Sequence, residues 1–243
     1  MSEWFSGIKA KFILDFIADQ RWKYITDGLK VTLEVTFLAL ILGLVLGAVI
    51  AVIRTTHDQL KEDQSKGFGS FLIQLADLIC RVYLTVIRGT PTMVQLLIMF
   101  FIVLASSNNK VMVAVITFGV NSGAYVAEIF RSGIMSVDKG QMEAGRSLGL
   151  GYTDTMLQII MPQAIKNCLP ALVNEMITLL KETSICGYIG LNELTRGGDI
   201  IRGITYDAMM PLLIVAVIYL VIVMFFTWLM GKLERRLRES DIR

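Results

Sequence analysis

Two stretches of this sequence restrict its fold more than anything else in it. Residues 31 to 53 are polar only at Thr32, Glu34 and Thr36 near the start, and residues 206 to 230 carry Asp207 at the mouth and Phe225, Phe226 and Trp228 near the exit. Each is long enough to cross a bilayer, because about 20 predominantly apolar residues in a helix cover roughly 30 Å of hydrocarbon. Inside lipid only helices and closed barrels satisfy every backbone N–H and C=O, so runs of this kind read as membrane-spanning helices. The composition agrees: 54% of the residues are hydrophobic and the mean hydropathy is +0.62, more than a soluble domain needs. Three less clean stretches lie between the two: Thr92 to Ala105, extended upstream by Leu72 to Val86; Val111 to Phe130; and Met156 to Leu180. The reading is an all-α integral membrane protein with about five transmembrane helices.

Five spans put the two ends on opposite faces. The C-terminal tail holds Lys232, Arg235, Arg236, Arg238 and Arg243, and the loops on its side hold Arg54, Lys61, Lys66, Arg131, Lys139 and Arg146. The other side's loops hold Lys110, Arg196 and Arg202. Positive residues mark the cytoplasmic face, which places the tail and the 131 to 155 loop inside. Lys9, Lys11, Arg21, Lys23 and Lys30 run against this rule. Asp15 and Asp19 interrupt the only stretch near the start that resembles a cleavable signal. Residues 1–30 therefore read as an amphipathic interfacial segment with Phe5, Ile8, Phe12, Phe16 and Ile17 on one side. Residues 31–230 form the transmembrane domain and 231–243 a cytoplasmic tail.

Several functions are excluded. There is no G-x-x-x-x-G-K-[ST] loop, zinc triad or nucleophile elbow, so no chemistry is expected of the chain itself. Cys80, Cys168 and Cys186 share no metal-ligand spacing and read as small packing residues. His57 reads as solvated surface in a charged loop; the net charge of +2 carries little information by itself, and no nucleic-acid partner is expected.

Between two of the apolar stretches lies a segment shaped as a socket. Asp138 with Gln141 three residues later is a capping-box-like start, and Gly149 with Gly151 offers left-handed stops. This gives a helix of roughly three turns, too short and polar to span. Ala144 and Leu148 share a face, small Gly145 lies beside them, and Glu143 and Arg146 flank it. Such a face admits another protein closely; a plain interfacial connector between spans is the competing account. Pro162 marks the start of the next helix.

The spacing Glu143-Ala144-Gly145, three residues, Gly149, nine residues, Ile159, one residue, Met161, Pro162 resembles the EAA motif of permease subunits of bacterial ABC importers. Gly145 and Met161 depart from the usual alanine and leucine, and Gly145 costs helix propensity of about 1 kcal/mol. Arg88-Gly89-Thr90-Pro91 with Gln95, the run Ala124 to Gly133, and Leu180-Lys181-Glu182-Thr183-Ser184 followed by Ile189-Gly190 and Glu193-Leu194 are similar to segments of the polar amino acid subfamily. The resemblance covers most of residues 24 to 235. It implies a type I ABC importer permease fold in the bacterial plasma membrane, with residues 138–151 as a coupling helix for a separate ATPase dimer. It also implies a second permease subunit, identical or related, and an extracytoplasmic binding protein delivering an amino acid. On this reading Glu143, Ala144, Gly145, Arg146, Leu148, Gly149 and Pro162 meet the ATPase, and ATP and Mg are bound there, with no cofactor in this chain.

For the cargo, ionisable groups in spans are the natural suspects, at roughly 2.5 to 3.5 kcal/mol each on insertion scales. Glu128, Lys181 and Glu182 qualify. Gly119, Asn121, Ser122 and Gly123 interrupt an apolar helix, as in a discontinuous span whose freed N–H groups hold a carboxylate. Close packing is the competing account, since Gly119 and Gly123 form G-x-x-x-G, as do Gly43 and Gly47. For that first-span pair packing is preferred. The substrate-contacting set is Asn121, Ser122, Gly123, Ala124, Glu128, Lys181 and Glu182, to which the resemblance adds Arg88, Thr90, Thr183 and Ser184. The rival class, a secondary transporter or channel, requires inverted repeats and mid-membrane ion-coordinating acids, and the sequence offers neither.

Overall fold

The computed structural model describes residue 7 and residues 9–62 and 67–241. Phe5, Ile8 and Lys66 lie outside the described residues. Regular structure among the described residues is entirely helical: α1 (Trp22–Glu62), α2 (Phe68–Gly89), α3 (Thr92–Ile98), α4 (Lys110–Met135), α5 (Lys139–Ser147), α6 (Tyr152–Thr155), α7 (Met161–Glu182), α8 (Leu194–Thr205) and α9 (Met209–Asp241). A wide turn, Met156–Ile160, carries α6 directly into α7.

Among the described residues, four helices are long and apolar enough to cross a membrane, over Trp22–Lys61, Phe68–Gly89, Lys110–Met135 and Met209–Arg236. Two expected spans are thereby redrawn. Leu72 to Val86 belong to α2, which qualifies by itself, and the chain breaks before Thr92, where Thr90 is extended and Pro91 has no N–H to donate. α7 has 22 residues, but Lys166, Asn167, Asn174 and Glu175 make it less apolar than the others. α1, at 41 residues, reaches about 60 Å at 1.5 Å per residue, twice the hydrocarbon thickness. It runs through His57 to Glu62, which the sequence reading takes as loop; no glycine or proline stops it there.

The chain divides into two compact units. The first comprises Met1–Ala39, Thr92–Phe118 and Met176–Leu229. Its core joins Phe16, Ile25, Leu194, Ile201 and Val215. Phe16 is therefore docked on the chain itself, whereas Phe12 and Ile17 stay exposed, so only part of the expected interfacial face remains open. Glu193 holds this unit's tightest junction. Its buried carboxylate accepts from the backbone N–H of Thr195 and of Arg196, both at 2.7 Å, and from the Tyr219 hydroxyl at 3.3 Å. The Leu194 N–H donates to Thr32 Oγ1 of α1 at 3.1 Å, and a Cβ on Gly28 would lie 2.7 Å from the Glu193 carbonyl oxygen. Glu193→Ala removes an N-cap and strands buried donors, an expected loss of about 2–3 kcal/mol. A melting temperature equal to wild type in detergent would rule out that role.

On α8, Arg202 at 2.5 Å and Arg196 at 2.7 Å flank Asp199. The Arg202 hydrogen bond, with charge from both arginines, holds its carboxyl below the ordinary range. A depressed carboxylate contributes stability above its unfolded pKa and loses it as pH falls through the folded value. The difference in melting temperature between wild type and Asp199→Asn should thus be present at neutral pH, start to shrink near roughly pH 4, the unfolded value, and vanish only as pH drops through the lower folded value. A difference that persisted in acid would overturn the assignment.

The second unit comprises Leu40–Pro91, Gly119–Glu175 and Met230–Arg243. Here α1 and α4 interlock through four glycines. An added Cβ would lie 2.9 Å from Ser122 Cβ at Gly43, 2.5 Å from Val126 Cγ1 at Gly47, 2.5 Å from Leu42 Cδ2 at Gly119 and 2.9 Å from Leu46 Cβ at Gly123. Small residues allow such approach where packing, not hydrophobicity, holds helices together. Tyr83 of α2 donates to the Val120 carbonyl, and Ile50, Cys80, Leu84, Ala124 and Ala127 complete the cluster.

Candidate functional site

The socket has the expected cap and a glycine stop, but the stop is Gly149 alone: Gly151, expected left-handed too, is extended and precedes α6. Asp138 caps α5, its side chain accepting from the Gly140 N–H at 2.6 Å. At the other end Gly149 takes φ +87°, with its N–H on the Arg146 carbonyl at 3.0 Å and the Leu150 N–H on the Gly145 carbonyl at 3.2 Å. This pair of bonds is a Schellman stop, which a glycine at this position makes cheap.

The two faces of α5 differ. Met142 packs against a cluster of Val137, Ile160 and Ala164. Gly145 is buried beside Thr155 and Ile159: a Cβ there would lie 2.5 Å from Thr155 Cγ2 and 3.1 Å from Ile159 Cδ1. The sequence places Gly145 on the partner-facing surface, and the structure turns it inward. Its missing side chain seats α5 on the helical run that leads into α7. Glu143, Ala144 and Arg146 stay exposed, and Leu148 is 82% exposed. Pro162 is exposed in the second position of α7 and does not start a helix, because α6 and the wide turn already carry helical backbone into it.

The expected break in the third span is absent. α4 runs unbroken from Lys110 to Met135, so its backbone N–H groups are not freed for a carboxylate. Asn121, Ser122 and Ala124 are buried, and Gly123 packs on Leu46 and Tyr83. The close-packing account holds for this stretch and displaces the substrate-facing one. Ser122 donates to Glu175 Oε1 at 2.8 Å. Glu175 was missed in sequence, although an acid inside the Met156 to Leu180 stretch is itself a signal.

A cavity of about 640 Å³ opens in the second unit, its lining largely apolar but carrying Arg88, Glu128, Lys166, Asn167 and Glu234. Glu128 lies 2.5 Å from Arg131 and 3.6 Å from Arg88, whose guanidinium sits 5.8 Å from the Tyr125 ring centre. Asn167 donates to Ser136 Oγ at 2.8 Å. The structure thus brings Arg88 and Glu128 together. Thr90 donates back to the Val86 carbonyl at 2.8 Å. In the first unit Lys181 is exposed, Glu182 accepts from Thr92, and Thr183 is buried with its hydroxyl on the Leu180 carbonyl at 2.7 Å. No cluster of three or more metal-ligating side chains occurs among the described residues.

The model of the binding-protein-dependent transport system inner membrane component family matches residues 69–239. The chain belongs to this family. The permease is similar to the arginine transport system permease protein ArtQ of Bacillus subtilis (strain 168), 38% identical over 232 residues, 94% of this chain and 99% of that one. It is also similar to the glutamine transport system permease protein GlnP of Escherichia coli (strain K12), 37% identical over 178 residues, 72% and 80% of the two chains. A solved amino acid ABC transporter with histidines superposes with TM-score 0.78 at 40% identity, over 91% of this chain and 98% of that one. The inward-facing MetNI methionine ABC transporter, 19% identical with TM-score 0.71 over 88% and 96%, shares the fold. The type I importer fold is therefore confirmed. This permease is a multi-pass inner-membrane subunit of an ABC importer, works with a separate ATPase and a binding protein, and is not itself an enzyme.

Proposed function

We propose that the permease moves polar amino acids through the cavity at Arg88 and Glu128. The carrying observation is this pair of opposite charges, 3.6 Å apart, at one cavity of a size suited to a small ligand. An amino acid brings a carboxylate for Arg88 and an ammonium for Glu128, and each group can exchange its present partner for one end of the cargo. The relatives named for arginine and glutamine support this class of cargo. Lys181 and Glu182, which belong to the first unit, stay separate candidates for cargo contact. The exposed side of α5, with Glu143, Ala144, Arg146 and Leu148, receives the ATPase, which binds ATP and Mg; this chain holds no cofactor. A second permease subunit, identical or related, completes the pathway.

The test is uptake into proteoliposomes holding the whole complex. Glu128→Gln and Arg88→Gln should each lower amino acid uptake about tenfold or more, the size of one charge-assisted hydrogen bond, while the ATPase still co-purifies. Uptake within twofold of wild type in both variants would remove the pair from the pathway.

A further inference from the structure

For a membrane helix, α7 is patterned inside out. Between Asn167 and Lys181 its exposed residues are Asn167, Asn174, Thr178 and Lys181, all polar, whereas Cys168, Ile177, Leu179 and Leu180 are buried. Over Leu212 to Met224, α9 exposes only apolar residues. At 3.6 residues per turn the four polar positions, with half-buried Ala171, fall within about 80° of one another, a straight stripe about 21 Å long. Contacts with α4 fix the depth of α7. Asn167 donates to Ser136 Oγ just past the end of α4, and the Cys168 thiol donates to the Ile129 carbonyl at 3.4 Å. Glu175 accepts at 2.8 Å from Ser122, the midpoint of Lys110–Met135. Thus α7 runs antiparallel beside a spanning helix, and Asn174 and Thr178 lie near the middle of the bilayer.

An amide or hydroxyl facing hydrocarbon gives up the hydrogen bonds that water would supply, so polar side chains at this depth face the bundle interior or a water-filled cavity. Two observations favour the cavity. Asn167 and Ala171, at the start of the stripe, line the 640 Å³ space that also holds Arg88 and Glu128, so the stripe leads out of the proposed cargo cavity. Its chemistry also suits a zwitterion. An amide and a hydroxyl both donate and accept, and so serve a carboxylate or an ammonium without the stronger grip of a formal charge.

We propose that the Asn167 to Lys181 face of α7 lines a water-filled passage, with Asn174 and Thr178 as further cargo contacts; this rests on the reading that the permease moves polar amino acids. The test is single-cysteine reactivity toward a charged methanethiosulfonate in the complete permease and ATPase complex, reconstituted in proteoliposomes and read in whichever nucleotide state reacts faster. Cys80, Cys168 and Cys186 are buried and give a low background, and co-purifying ATPase reports that each variant assembles. Val217→Cys on the exposed apolar side of α9 and Ile177→Cys on the packed side of α7 are the controls. Asn174→Cys and Thr178→Cys should react about tenfold or more faster than both, because apolar surroundings raise a thiol's pKa by roughly a unit or more and the thiolate is the reacting species. Saturating arginine or glutamine should slow both reactions. A rate at either position as slow as that of Val217→Cys would overturn the proposal, and a disulfide joining two copies through Asn174→Cys would then identify a packed subunit contact. Fast reactions that neither amino acid slows would overturn the cargo contacts. The rates do not involve Arg88 or Glu128, so normal uptake by Arg88→Gln and Glu128→Gln would remove that pair and leave the passage standing.

Discussion

Gly145→Val is expected to lower ATP-driven uptake at least about tenfold while leaving the ATPase subunit's own basal hydrolysis intact. The reason is the seat of α5: the added side chain meets Thr155 Cγ2 at 2.5 Å, Thr155 Oγ1 at 2.9 Å and Ile159 Cδ1 at 3.1 Å. Overpacking of this kind costs about 1–3 kcal/mol, and the exposed helix relieves it by lifting off its support. Gly149→Ala is the calibrating variant. A Cβ at Gly149 would meet no heavy atom within 4 Å, so its cost is the left-handed backbone alone, about 1 kcal/mol. Uptake in reconstituted vesicles should therefore fall further in Gly145→Val than in Gly149→Ala. The reverse order would mean that the stop, rather than the seat, controls coupling.

Gly47→Leu is expected to abolish folded permease. A Cβ there lies 2.5 Å from Val126 Cγ1 and 2.9 Å from the backbone nitrogen of Ala127, so repacking one side chain does not relieve it. In a bilayer, lipid tails are as apolar as the displaced contacts, and no burial of hydrophobic surface offsets the lost fit. The expected destabilisation is about 3 kcal/mol or more, read as loss of the monodisperse complex on size exclusion. Gly47→Ala combined with Val126→Ala should recover part of the yield. Full yield from Gly47→Leu alone would show that the two helices are not held by this contact.

Which parts of this were legible in sequence follows from the range of the forces involved. The long apolar runs and the cap and stop of α5 depend on neighbours a few residues away, and a sequence displays those neighbours directly. The direction of Gly145 does not: helical period places it on a face, but only Thr155 and Ile159 decide that this face is covered. Asn121 and the two flanking glycines in α4 read as a break because they weaken a helix locally. Packing against α1 outweighs that weakness, and the helix continues. Pro162 misleads for a related reason, since the wide turn before it lets helical backbone pass through. Asp77 is a harder case, because its partners Arg54 and Arg81 come from two helices and only their packing joins them. Arg88 and Glu128 were each visible, one by resemblance and one as an acid in a span, but not their meeting.

The contact between α5 and its support is asymmetric in mechanics. A push on Leu148 meets side chains already touching at Gly145, with no slack to take up, so inward displacement passes to α7 nearly undiminished. A pull in the opposite direction is resisted by the apolar grip on Met142 and by the two chain connections. If the ATPase presses on Leu148, the close contact at Gly145 is the place where that push would reach the run leading into α7.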